Sequence, residues 1–374
     1  MHKLRIIMKR YIYQKLAWPN FTWDNEHLLV MLGQVRNMQG RLLGRMEALG
    51  FELRDEASLS TLTIDVLKSS EIEGEFLHPE QVRSSVSRRL GMDVAGMVYS
   101  DRNVDGVVEM MLDATQQYQK PLSAARLFAW YAALFPKGRS GMHVIEVGKW
   151  RTDSTGPMQV VSGAMGKERV HFQAPAANVL KAEMKLFVDW FNKEKSLDPV
   201  LKAGLAHLWF VTVHPFDDGN GRIARALTDM LLARSDYSPQ RFYSMSAQIR
   251  VERKGYYDTL EKTQQGSLDV TDWLEWFLTC LMRALQATDT TLSTVLSKAE
   301  FWKKHKDTIF NDRQKMMLNK LFSNFDGKLT STKWSKIAKC SADTALRDIQ
   351  DLITKGVLEK EEAGGRSTGY VVRY

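Results

Sequence analysis

Apolar residues recur at helical spacing along most of this chain, and only short segments switch to a β-prone pattern. The stretches from Asn25 to Leu49 and from Leu59 to Glu73 are periodic. In the second, Leu59, Leu62 and Val66 share one face, so both stretches predict helices. Leu208, Trp209, Phe210 and Val211 form an unbroken apolar run that predicts the end of a buried helix. From Gly221 onward, Ile223, Leu227, Met230 and Leu231 again fall at helical spacing. Between these regions, Met158 to Val161 and Arg169 to Phe172 flank the Gly-bearing stretch Ser162 to Glu168. They predict a β-hairpin ahead of a helix over Val179 to Phe191. Near the C-terminus the pattern predicts helices over Asn311 to Phe325 and Thr332 to Lys339. A third helix runs from the Cys340-Ser341 turn to Gly356, and strands over Val357 to Glu361 and Gly369 to Val372 flank Gly364, Gly365 and Arg366. Three helices and a hairpin are the order of a winged helix-turn-helix. The expected fold is mainly α, in three parts. These are a helical N-terminal domain (1–110), a core that is all helix apart from the hairpin (111–285), and the winged helix (295–374).

Composition narrows the function class. The 374 residues suffice for two or three domains with real cores, and contents of 44% hydrophobic and 26% charged are those of a globular protein. No apolar run has membrane-spanning length. The start of the chain, Ile6-Ile7-Met8 between basic residues, is too short a stretch for export, and Met8 is a candidate initiator. Cys280 and Cys340 have no metal-ligand spacing and read as unpaired thiols. The expected compartment is the cytoplasm, with no membrane partner.

Residues 214–225, His-Pro-Phe-Asp-Asp-Gly-Asn-Gly-Arg-Ile-Ala-Arg, carry the chemistry. His214 follows the buried helix, and a neutral imidazole at a site edge can accept a proton. Asp218 is a hard oxygen ligand suited to Mg²⁺. Gly219, Asn220 and Gly221 can adopt positive φ and turn successive N–H groups into one concavity, at a helix N-terminus that favours anions. Arg222 and Arg225, three apart, share a face and can grip one polyphosphate.

This segment is similar to the Fic-family signature HPFx[D/E]GNGRxxR and matches every fixed position. The resemblance implies a helical Fic-type core that transfers AMP from ATP to a hydroxyl of a target protein. His214 would be the base and Asp218 the Mg²⁺ ligand between the α- and β-phosphates. Asn220 and the flanking amides of Gly219 and Gly221 would hold the α-phosphate region, Arg222 the β-phosphate and Arg225 the γ-phosphate. Residues 69–74, Ser-Ser-Glu-Ile-Glu-Gly, end a helix, with Gly74 as its stop. They resemble the family's inhibitory motif [S/T]xxxE[G/N] in its N-terminal placement. Glu73, on the same face as Ser69, would then pair with Arg225 and leave ATP in an unproductive pose. The hairpin (158–175), preceded by Gly148-Lys-Trp-Arg151, resembles the flap on which Fic targets dock by strand addition. His171 reads as an exposed hairpin residue. Tyr256 and Tyr257, expected one helix after the motif, line either an adenine pocket or the core. Trp18, Phe21 and Trp23 read as core packing, in an opening that resembles a domain of unknown function found ahead of Fic cores.

The C-terminal part leaves alternatives open. From Glu300 to Tyr374 there are 15 Lys and Arg against 10 Asp and Glu, +5 of the chain's +8, a bias toward polyanions. Lys333, Lys336 and Lys339 can meet a DNA backbone. Asp343, Asp348 and Asp351 on the third helix would repel phosphates if they faced a groove, so DNA contact and protein interaction or homodimerisation both stay open. The leading expectation is an autoinhibited, ATP- and Mg²⁺-dependent protein adenylyltransferase. The alternatives are a de-AMPylating hydrolase and a nucleotide-sensing, DNA-binding regulator.

Overall fold

The computed structural model describes residues 11–49, 51–92, 97–154, 156–163, 167, 169–322, 325, 327–361 and 368–373. Met8, positions 164–166 and 168, and Gly364, Gly365 and Arg366 lie outside the described residues.

The chain is mainly helical and divides after Thr288 into two compact units. The first contains helices α1 (Asn25–Glu47), α2 (Phe51–Ile72), α3 (Pro79–Arg89), α4 (Arg102–Gln116) and α5 (Ala124–Leu134). Two antiparallel hairpins follow, β1 (Arg139–Ser140) with β2 (His143–Val144), and β3 (Gln159–Ser162) with β4 (Arg169–Gln173). Then come α6 (Leu180–Lys193), α7 (Pro199–Val213), α8 (Asn220–Asp236), α9 (Met245–Val251), α10 (Arg253–Gln264) and α11 (Thr271–Lys304), the last running past the division.

Sequence chemistry sets these boundaries. Asp24, Asp101, Ser123 and Asp198 each cap the helix that follows by accepting a backbone N–H. Pro199 adds its fixed φ at the start of α7. All residues of α7 from Val200 to Val213 are buried, so this helix is the axis of the core, and it packs along α8. The Trp18, Phe21 and Trp209 rings pack edge to face, so Trp18 and Phe21 do join the core, while Trp23 donates an exposed hydrogen bond to Asn25. The expectation of a core all helical apart from one hairpin is corrected by β1–β2. Its two-residue strands, bracketed by Gly138 and Gly141 at positive φ, are too short to show an alternating pattern.

The second unit holds α12 (Asp312–Leu321), α13 (Ser331–Ile337), α14 (Ala342–Thr354), and the antiparallel pair β5 (Leu358–Lys360) and β6 (Tyr370–Val372). Asn311, Thr330 and Ser341 cap the three helices. Helix α12 stops at Leu321, short of the expected Phe325. Trp334, Met317, Leu318 and Ile349 centre the core of this unit. Of the three acids on the third helix, Asp348 is turned away from the exposed face, whereas Asp343 and Asp351 remain exposed. Asp348 is buried against α12, where it accepts from Arg313 Nε (2.8 Å) and Asn311. Asp351 pairs with Gln314 and Lys355. Asp343 and Asp351 share the exposed face with Leu346, Arg347 and Gln350.

Candidate active site

The site forms where the C-terminal end of α2, the N-terminus of α8, the flap β3–β4 and helix α10 converge. A cleft of about 450 Å³ there is lined by Glu73, Val161, His214, Gly221, Tyr256 and Tyr257, among others.

His214 ends α7 in the left-handed conformation (φ 51°, ψ 60°), which turns its ring out of the helix and into the cleft. Its Nδ1 lies 3.3 Å from the carbonyl oxygen of Val211. A carbonyl can only accept, so Nδ1 carries the hydrogen and Nε2 keeps its lone pair. Burial pushes the imidazole down to about 4, so it is neutral at physiological pH. Arg151 holds this strained turn. Its buried guanidinium donates to the carbonyls of His214 (2.7 Å) and Pro175 (2.5 Å) and to Asp153, while its own N–H meets Pro215 O.

The turn into α8 is equally fixed. Gly219 sits at φ 75°, where a Cβ would also press on Phe135 and Leu134. The Asn220 carboxamide accepts from Phe216 N (3.0 Å) and donates to Phe216 O (2.8 Å). Its side chain is thus closed on the turn, and shaping the loop is the role its geometry displays. No side chain caps α8, which leaves its N-terminus to an outside acceptor. Asp218 accepts from Gly219 N and from the Ser140 hydroxyl, so β1 orients it. Among the described residues no three His, Cys, Asp or Glu side chains gather into a ready-made metal site. One oriented carboxylate fits Mg²⁺ only where substrate phosphates supply most of the ligands, the usual situation for that ion.

Arg225 and Arg222 are both buried to 2% exposure. Arg225 donates through Nε to the Ser69 hydroxyl (2.9 Å) and through Nη2 to the Ser69 carbonyl (2.7 Å), and Nη2 lies 2.8 Å from Glu73. Burial opposes its charge, but the Glu73 carboxylate outweighs that and holds the guanidinium protonated. Gly221 makes the contact possible, because a Cβ there would lie 2.1 Å from Glu73 Oε1. Gly74, at φ 84°, reverses the chain after α2. Ser69, Glu73 and Gly74 are therefore all at the site.

Tyr256 and Tyr257 stand on α10, the second helix after the motif and not the first, because the short α9 intervenes. Tyr256 is buried, and its hydroxyl lies 2.8 Å from His207 Nε2. The other nitrogen of His207 meets Thr228. The flap is also tied down. His171 is not a free surface residue but is half-buried, 2.6 Å from Glu261, which also binds Arg169. Phe172 packs its other side on Tyr11 and Tyr13. Sequence reading missed the roles of Ser140, His207 and Glu261, which lie 78, 7 and 47 positions from Asp218, His214 and His214 respectively in unremarkable contexts. It also stopped one residue short of Glu75, an acid two positions beyond Glu73.

This arrangement of a strained histidine, a glycine-rich turn and two buried arginines at one helix N-terminus defines the class, and comparison with known proteins agrees. Residues 121–232 match the Fic/DOC family, and residues 11–92 match a domain of unknown function, DUF4172. The matched core, residues 121–232, is a Fic/DOC-family domain. It is 24% identical over 289 residues to the protein adenylyltransferase fic-1 of Caenorhabditis briggsae, covering 66% of this chain and 54% of that one. It is 35% identical over 113 residues to the protein adenylyltransferase Fic of Drosophila willistoni, covering 30% and 21%. The chain thus spans about half the length of the first of these curated relatives and less of the second. A Fic family protein from Desulfovibrio desulfuricans G20 shares the fold, with a TM-score of 0.52 at 20% identity over 92% of this chain and 95% of that one. Among the described residues no helix is long and apolar enough to cross a membrane.

Proposed function

We propose that this protein is an adenylyltransferase that moves AMP from ATP to a hydroxyl side chain of a target protein, and that Glu73 holds it inactive in the conformation described. The observation that carries the reading is His214 opening on the same cleft as Glu73 and Gly221, with its Nδ1 facing the Val211 carbonyl so that Nε2 is left to accept a proton. His214 takes the proton of the target hydroxyl, whose oxygen forms a bond to the α-phosphorus. The bond from that phosphorus to the bridging oxygen breaks, and pyrophosphate leaves with the electron pair. The amides at the α8 N-terminus and the two arginines neutralise charge on the phosphate chain. Asp218 would hold Mg²⁺, which when bound neutralises phosphate charge. The flap would fix the target's register by strand addition, and the Tyr256–Tyr257 wall of the cleft would lie beside the base.

Because Glu73 sits where Arg225 would grip the γ-phosphate, ATP is excluded from its productive pose. With α-³²P-ATP, Mg²⁺ and a lysate, Glu73→Gly should label protein strongly, wild type faintly and His214→Ala not at all. Equal labelling by wild type and Glu73→Gly would overturn the inhibitory part, and labelling by His214→Ala the catalytic part.

One observation favours a second reading, removal of AMP. Glu73 and His214 line one cleft, so the acid is placed to orient water. Release of AMP from a pre-modified target without ATP would decide for it.

A further inference from the structure

The Arg225 clamp uses one carboxylate at the end of α2, and the next acid along makes a second clamp. Glu75 Oε2 lies 2.5 Å from Nη1 of Arg222. The Arg222 side chain is 2% exposed and that of Glu75 46%, so an outer acid reaches inward to a buried cation. Arg222 is fixed from the other side by the Phe135 ring, 5.1 Å from its guanidinium carbon. The Arg222 Nε has no hydrogen-bond partner, and Arg225 Nη1 has none either. Two buried guanidinium groups, each with an unused donor and each meeting one carboxylate, form an anion cradle larger than either acid fills. The pairing is a matter of register. Arg222 and Arg225 are three apart on one face of α8, and Glu73 and Glu75 flank the positive-φ turn at Gly74.

We propose that Glu75 is a second occupant of the phosphate cradle, so that Glu73, Gly74 and Glu75 act as a two-carboxylate plug and a nucleotide must displace both acids to seat its full phosphate chain. This rests on the reading of Arg222 and Arg225 as phosphate ligands and adds Glu75 to it. A carboxylate on an arginine competes directly with a phosphate oxygen for the same donors. Glu75, more exposed than Glu73 at 29%, is the acid more easily displaced. Removing Glu73 alone leaves Arg222 occupied, so the Glu73 variant is only half released.

The test is calorimetric titration of the full chain with AMP, ADP and ATP, for wild type, Glu75→Gln, Glu75→Ala, Glu73→Gln and the double variant Glu73→Gln/Glu75→Gln. Unfolding midpoints confirm that each variant is folded. Glu75→Gln should tighten ADP and ATP by about five-fold, the ceiling expected for a half-exposed ion pair. It should leave AMP, which lacks a β-phosphate, within about two-fold of wild type, and the double variant should bind ATP more tightly than either single. Unchanged ADP affinity in both Glu75 variants, or equal tightening of AMP, would overturn the proposal. So would failure of every variant to bind nucleotide. The readout is binding, so it separates from the transferase reading. Tighter ADP binding with no AMP transfer by any variant upholds Glu75 and sinks the transferase. Transfer by Glu73→Gly with no effect at Glu75 does the reverse.

Discussion

The Nε of Arg151 donates to the carbonyl oxygen of His214 over 2.7 Å, and the same guanidinium reaches Pro175 at the exit of the flap. One buried side chain therefore fixes both the left-handed turn that aims the histidine and the root of the hairpin above it. Arg151→Ala would leave the Asp153 carboxylate without its closest cation and two carbonyls without donors. It should cost about 3 kcal/mol in stability by urea unfolding. Arg151→Lys should recover little of this, since an ammonium cannot reproduce the planar fork. A shift below about 1 kcal/mol for Arg151→Ala would show that the turn holds without it.

Stability should fall on mild acidification. Burial pushes His214 down to about 4 and His207 down to about 3. Both are neutral when folded, whereas the unfolded chain protonates them near the ordinary value of about 6.5. Above that pH neither histidine contributes a slope. Below it the unfolded state binds more protons, and stability is lost as pH drops toward 4. Urea midpoints at pH 7.5 and 5 should differ clearly for wild type and less for His214→Ala. Equal differences would mean that His214 is protonated in the fold.

Gly74→Ala tests the turn that places both acids. Nothing would touch the added Cβ, so its effect comes from the positive φ alone, about 1 kcal/mol. The expected outcome is a slightly less stable protein with more AMP transfer than wild type. Gly74→Asn, which tolerates that conformation, should stay near wild type. Transfer unchanged in Gly74→Ala would separate the turn from inhibition.

The flap latch is removable. Glu261 is held below the ordinary carboxylate range. Burial works against this, but the hydrogen bonds from His171 and Arg169 prevail. Glu261→Gln should speed amide exchange in β3 and β4 while leaving exchange in α7 and α8 unchanged. Unaltered exchange in the hairpin would assign its position to the Phe172 contacts with Tyr11 and Tyr13 instead.

Much of this was legible in the residues. The helical periodicity of α2 and α8, the Gly74 stop and the motif turn are local, and local rules govern them. The placement of Ser69, Glu73 and Gly74 against Arg225 was legible only because a resemblance linked two segments about 150 positions apart. What escaped was of two kinds. The β1–β2 hairpin is too short to carry a pattern, yet its Ser140 orients Asp218. The second is contact between distant, individually ordinary residues: His207 beneath Tyr256, Glu261 beneath the flap, and Asp348 turned inward on α12. No spacing rule announces these, because tertiary packing decides which way a side chain on a half-buried helix points.

The end of α2 belongs to the same chain as the arginines it covers. The plug meets the cradle at an effective concentration set by the tether, millimolar in order for a short connection, whatever the protein concentration. On the proposed reading, a soluble anion must outcompete an internal one, so occupancy follows the abundance of nucleotide.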